Sequence, residues 1–178
     1  PAGSNTASVS FTTTVSDNVD APASFTPVFT AGGSAIPSPH IFPVGVTTVT
    51  VTANDDTAGN TPDPITFTVT VTDGEDPVFA GVPSNISQST DAGLNTAVVT
   101  FTAPTATDNV DGSITPVLVS SPTAGLTSGD AFPLGVTTLT YTATDAAGNV
   151  QTASFTVTIG DTEKPVIAAL SNITTPTA

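Results

Sequence analysis

The sequence predicts an all-β fold, two tandem immunoglobulin-like β-sandwiches of which the N-terminal one lacks its own first strand. Three observations carry this. Apolar residues alternate with threonine at a period of two, as in "SFTVTI", where Phe155, Val157 and Ile159 point one way and Thr156 and Thr158 the other. No segment has helical periodicity, and the dominant Thr and Val suit strands. The chain also repeats itself. "FPVGVTTVTVTAND" at Phe42–Asp55 returns as "FPLGVTTLTYTATD" at Phe132–Asp145, "SDNVD" at 16–20 as "TDNVD" at 107–111, and "ITFTVTVTDGEDPV" at 65–78 as "ASFTVTIGDTEKPV" at 153–166. The period of about 90 residues is the size of a small sandwich.

The repeats are out of phase with the chain. "DTEKPVIAALSNIT" (161–174) matches "DGEDPVFAGVPSNIS" (73–87), and "AGSNTASVSFT" (2–12) matches "AGLNTAVVTFT" (92–102). Residues 73–160 form one complete repeat. Residues 1–72 are a repeat without its first strand, and residues 161–178 are the first strand of a further one.

In the complete repeat, strand A lies near Pro77–Val82, B near Thr96–Ala103, C near Ile114–Ser120, and D is weak. E lies near Ala131–Leu134, F near Val136–Thr144 and G near Ala153–Ile159. Turn residues separate them. Tyr141 in F reads as a core aromatic ahead of a tyrosine corner. With up-and-down connectivity, the entry to A, the B–C loop and the F–G loop all reach one pole.

Of fifteen carboxylates, twelve fall in those three segments and their counterparts; Asp63, Asp91 and Asp130 lie elsewhere. The complete repeat offers Asp73, Glu75 and Asp76 at the A entry, Asp108, Asn109 and Asp111 in the B–C loop, and Asp145 and Asn149 in the F–G loop. The cut repeat offers Asp17, Asn18, Asp20, Asp55, Asp56 and Asn60, and its A entry Asp161 and Glu163. Crowded carboxylates without nearby cations repel one another. Hard oxygen donors at this density suit Ca²⁺, the expected cofactor. The alternative is that Asp, Asn and Gly simply make good turns, which explains single residues better than the concentration of acids in three segments. The site containing "DNVDAP" departs from "DNVDGS" and is the weaker of the two.

"TDNVDG", "FPLGVTTLTYTATD", the "AGN" turn and the closing "FTVTI" together resemble the HYR, or hyalin repeat, family, and the two copies cover nearly the whole chain. The resemblance implies immunoglobulin-like sandwiches in tandem, in extracellular or cell-surface adhesion-related proteins, and no catalytic activity. The cysteines of many eukaryotic members are missing here, so no disulfide-dependent property carries over.

Composition excludes several other classes. The formal net charge of −14, with one lysine (Lys164) and no arginine, repels nucleic acid and anionic membrane. No apolar run is long enough for membrane insertion. The single histidine, His40, has no counterpart in the other repeat and reads as a surface loop residue. No nucleophile elbow, zinc set or phosphate loop is present, so an enzyme is not expected. Asn85 in "NIS" and Asn172 in "NIT" have the form of N-glycosylation acceptors.

The cut repeat has two explanations. Either flanking repeats continue it covalently, or residues 161–174 supply the missing strand to another copy, through Pro165, Val166, Ile167, Ala168, Ala169, Leu170 and Ile173. Alternation along this segment makes Val166, Ala168 and Leu170 one inward set. Both explanations give a head-to-tail line of sandwiches. The expected function is a structural segment of an extracellular fibre, stalk or adhesin, stiffened by calcium, whose partners are copies of itself or flanking repeats and a cell-surface or matrix ligand. The alternative is an immunoglobulin-like binding module for a carbohydrate or protein.

Overall fold

The computed structural model describes residues 3–16, 25–53, 61–172 and 174–175, and among these every regular element is a strand. Asp17, Asn18, Asp20, Asp55, Asp56, Asn60 and Ile173 lie outside the described residues. The strands are β1 (Thr6–Val9), β2 (Pro27–Ala31), β3 (Ser34–Ile36), β4 (His40–Pro43), β5 (Gly45–Ala53) and β6 (Ile65–Val71). They continue as β7 (Val78–Ala80), β8 (Ile86–Ser89), β9 (Thr96–Val98), β10 (Thr105–Asp108), β11 (Gly112–Ile114), β12 (Val117–Ser121), β13 (Ala131–Pro133), β14 (Gly135–Thr144) and β15 (Val150–Gly160). The chain divides into two compact units. One is Pro1–Val78 with Ala106–Ile114 and Thr144–Gln151; the other is Phe79–Thr105, Thr115–Ala143 and Thr152–Ala178.

In the first unit, β1 pairs antiparallel with β4, and a four-stranded sheet runs in the order β3-β2-β5-β6. Between them lie Phe42, Val49 and Val69, with Val9, Phe11, Phe29, Ile36, Phe67 and Val71 packed around. Phe11 sits edge-on to Phe29 at 4.7 Å and to Phe42 at 6.1 Å, a favoured geometry for ring quadrupoles. Among the described residues no strand precedes β1. His40, expected in a surface loop, opens β4 instead. It is half-buried and its ring meets Phe42 edge-on at 4.9 Å, because the apolar pairing of β1 with β4 extends one residue further than its polar flank suggests.

The second unit repeats the plan with more cover. β9 pairs with β13, and the larger sheet runs β12-β14-β15-β8. The core holds Ala97, Val99, Phe132, Leu139, Tyr141, Phe155, Val157 and Ile159, with Phe79 of β7 and Ile86 of β8 packed against it. Burial pushes the Tyr141 phenol pKa up. β8 joins the edge of β15 in parallel, in the register Val157↔Ile86 to Gly160↔Ser89.

Strand B is regular only as far as Val98. Beyond it Val99 still exchanges main-chain bonds with Gly129 and Asp130, and at Phe101 the Ser128 hydroxyl takes over, accepting from Phe101 N–H at 2.8 Å and donating to Phe101 C=O at 2.6 Å. Ser38 does the same for Phe11, at 2.9 and 2.6 Å. One hydroxyl thus satisfies a donor and an acceptor that a strand would otherwise have to meet. Ser128→Ala is expected to cost about 1–2 kcal/mol, two modest hydrogen bonds at a site that water reaches, as measured by urea denaturation.

Candidate metal centre

Three carboxylates converge in the first unit. One oxygen each of Asp73, Asp108 and Asp145 lies within 4.8 Å of the other two. Each is held by its own turn. In "TDNVDG", β10 and β11 form a hairpin in which Asp108 pairs with Gly112. Asp108 Oδ1 accepts from the N–H groups of Val110 (2.7 Å) and Asp111 (3.1 Å), the local bonding that makes Asp a turn former. Gly112 closes the turn at φ 73°, a left-handed conformation that suits glycine.

In "DAAGN", Asp145 Oδ1 accepts from Asn149 N–H and Oδ2 from Asn149 Nδ2, both at 2.7 Å. Burial pushes the Asp145 carboxyl upward, but the hydrogen bonds from the Asn149 side chain and from the backbone of Asn149, Gly148 and Ala147 together hold it below the usual carboxylate range. Asp145 therefore stays ionised although buried. Asp73 Oδ1 accepts from Glu75 N–H at 3.2 Å, while its Oδ2 is buried with no hydrogen-bond partner among the described residues. Such an orphan oxygen, beside two more carboxylates, is what a bound cation would satisfy. The donors are all hard oxygens, and a depression lined by Val44, Thr72, Asp73, Val110, Asp111 and Ala146 gives access from solvent. The set fits a divalent cation of the Ca²⁺ type better than a transition metal, which prefers nitrogen or sulfur.

The HYR domain family matches this chain twice, at residues 1–71 and at residues 72–159. The chain belongs to the HYR domain family. It is 37% identical over 172 residues to hyalin from Lytechinus variegatus, covering 96% of this chain and 30% of that protein. It is 38% identical over 136 residues to hyalin from Strongylocentrotus purpuratus, covering 74% of this chain and 11% of that one. One stretch of 85 residues, 48% of the chain, is 36% identical to 2% of the sushi, von Willebrand factor type A, EGF and pentraxin domain-containing protein 1 of Rattus norvegicus. The chain therefore spans less than a third of the hyalins it matches.

The HYR repeat brings together only some of the acids its sequence offers. Asp73, Asp108 and Asp145 meet, one from each of the three expected segments. Asn149 orients Asp145 through its amide. Asp111 stands beside the cluster and spends Oδ2 on Ala146 N–H at 2.6 Å. Asn109 buries its Nδ2 without a hydrogen-bond partner among the described residues; a donor nitrogen does not ligate a cation. Asp76 is exposed.

Glu75 is drawn elsewhere, its two oxygens accepting from Gly3 N–H at 2.6 and 2.7 Å. Glu163 does the same to Gly93 at 2.9 Å, and Asp161 Oδ1 accepts from Glu163 N–H at 2.8 Å. In both copies of "D-x-E", the Asp turns the chain and the longer Glu reaches back to a glycine. The glycine N–H groups were not among the expected site residues. The signal for them is that both the D-x-E and the "AG-x-NT" loop recur, at Gly3 and Gly93. Asn85 also has a structural use besides its sequon: its Oδ1 accepts from Thr156 N–H at 2.9 Å.

Proposed function

We propose that this chain is a structural segment of an extracellular, adhesion-related array of HYR repeats, joined head to tail through residues 161–174 and stiffened by Ca²⁺ at Asp73, Asp108 and Asp145. The convergence of these three carboxylates, with the orphan Asp73 Oδ2 among them, is the observation that carries the calcium. Asp73 belongs to the segment that links one repeat to the next in sequence, whereas Asp108 and Asp145 sit on the turns of a repeat. A cation shared by the three fastens the link to those turns and removes their mutual repulsion. Family membership supports the adhesive setting, and the two hyalins support the tandem arrangement. A carbohydrate- or protein-binding module is the weaker reading, because none of the nine Phe nor the one Tyr is exposed to form a platform.

The test compares thermal unfolding and X-ray scattering in Ca²⁺ and in EDTA. Saturating Ca²⁺, at about 100 times its dissociation constant, is expected to stabilise the protein by about 2.7 kcal/mol and to narrow the range of shapes in solution. Asp73→Asn is expected to abolish that response while leaving the EDTA stability unchanged or higher, since it removes one repelling charge. Identical profiles with and without Ca²⁺ in the parent protein would reduce the cluster to solvated turns.

A further inference from the structure

The two repeats differ in burial along one flank. In the second, Ala97, Val99, Phe155 and Ile159 are all at most 2% exposed; their counterparts Ala7, Val9, Phe67 and Val71 in the first are half-buried. Away from that flank the match holds: Phe42 is as buried as Phe132, and Val49 as Leu139. The missing cover is therefore local. In the second repeat it comes from Phe79, Ile86 and the parallel pairing of β8 on β15. In the first, β6 ends its sheet with its edge groups unpaired among the described residues. Meanwhile residues 161–172 form no strand, and Val166, Ile167 and Leu170 are at least 93% exposed.

From this we infer that the open β6 edge is the binding site for residues 165–175 of a second copy, added as a parallel strand. This rests on the head-to-tail reading above and specifies its chemistry. The register follows from the complete repeat. Val157↔Ile86 and Thr158↔Ser87 become, through the sequence correspondence, Val69 beside position 173 and Thr70 beside Thr174. Asn172 takes the place of Asn85, so its Oδ1 accepts from Thr68 N–H as Asn85 accepts from Thr156 N–H. The side-chain phase follows as well. Pro77 is fully buried and Phe79 faces the core, while Val78 is 66% exposed. Their counterparts Pro165 and Ile167 turn inward and Val166 outward, reversing the Val166, Ala168 and Leu170 set that alternation alone suggested. Main-chain bonds supply the attraction and the inward pair the selectivity, as in other strand additions. A one-residue slip would put Val166 in the Ile167 pocket.

The chain has no cysteine, so engineered pairs report register cleanly. The 178-residue chain carrying Thr70→Cys and Thr174→Cys, oxidised under native conditions, is expected to give a ladder of dimers, trimers and larger species on non-reducing SDS gels, collapsing to 17.5 kDa on reduction. Each single variant should stop at dimer, and Thr70→Cys with Ser171→Cys should give at least tenfold less ladder. An internal disulfide in a monomer would overturn the second copy as occupant. Equal ladders from the two pairs would overturn the register. Absence of a ladder in material that electron microscopy shows as filaments would overturn this edge while leaving head-to-tail assembly intact. Monomers by both methods would overturn the inference and leave covalent continuation by flanking repeats as the form of the head-to-tail array.

Discussion

Phe132→Ala is expected to destabilise the second repeat by about 3–5 kcal/mol, the cost of deleting a fully buried aromatic and leaving a cavity. Phe132 is wholly inaccessible to solvent and sits where β13 faces β14 and β15, with the Phe101 ring edge-on at 6.4 Å. At about 4–8 °C per kcal/mol for a domain of this size, its melting temperature should fall by more than about 12 °C. The protein carries its own probe. Tyr141 is the one tyrosine, tryptophan is absent, and the ring is buried in the same core. Tyrosine fluorescence therefore reports on the second repeat, while far-ultraviolet circular dichroism reports on both.

In Phe132→Ala the tyrosine transition should move and part of the dichroism transition should stay. In Phe42→Ala, the equivalent change in the first repeat, the order should reverse. Among the described residues the buried cluster of that repeat is Phe42, Val49 and Val69, smaller than the eight-residue core of the second, so the same truncation should leave it unfolded at room temperature. Coincident shifts of both signals in both variants would show that the two repeats unfold as one.

The contrast between the repeats also explains what the sequence revealed and what it hid. Strands F and G were legible almost to the residue. They were expected at 136–144 and 153–159 and found at Gly135–Thr144 and Val150–Gly160, because F from Thr137 and G from Ala153 bury one face and so must alternate; the first three residues of G are exposed and carry no such period. Strand B was read as running to Ala103 but is regular only to Val98. Its apolar pattern continues through Phe101, and what changes is the partner, loop backbone at Val99 and a serine hydroxyl at Phe101 in place of a strand. Segment C proved to be two strands, β11 and β12, interrupted at Pro116, which has no N–H for a ladder. β8 was missed altogether. "ISQS" is exposed after its first residue, and an edge strand held mainly by main-chain bonds leaves no hydrophobic period.

The candidate site followed the same logic. Convergence of Asp73, Asp108 and Asp145 was readable from connectivity, since loops at one pole must meet. The diversion of Glu75 and Glu163 was not, because it depends on one extra methylene reaching a glycine N–H that no composition argument marks.

Acid should loosen this region, and the direction follows from how Asp145 is held. Its folded carboxyl sits below the usual value because the Asn149 side chain and the turn backbone outweigh burial; Asp130 is lowered too, by the backbone and side chain of Thr127. A carboxyl depressed on folding contributes stability that is fully present above its unfolded pKa, about 3.9, and is lost as pH falls through the lower folded value. Stability measured in EDTA is thus expected to be flat near neutrality in respect of these two groups and to fall steeply below about pH 4. Asn149→Ala removes the Nδ2 donor, raises the Asp145 pKa, and should move the acid limb to higher pH. Asp145→Asn has no proton to gain there, and should flatten that part of the limb at some cost in stability at pH 7, where two amides would face each other donor to donor. Adding Ca²⁺ opposes protonation, because the cation binds the ionised carboxylates, so the limb should shift to lower pH in Ca²⁺ than in EDTA. An acid limb that Asn149→Ala leaves in place would mean that Asp145 is not the group that titrates.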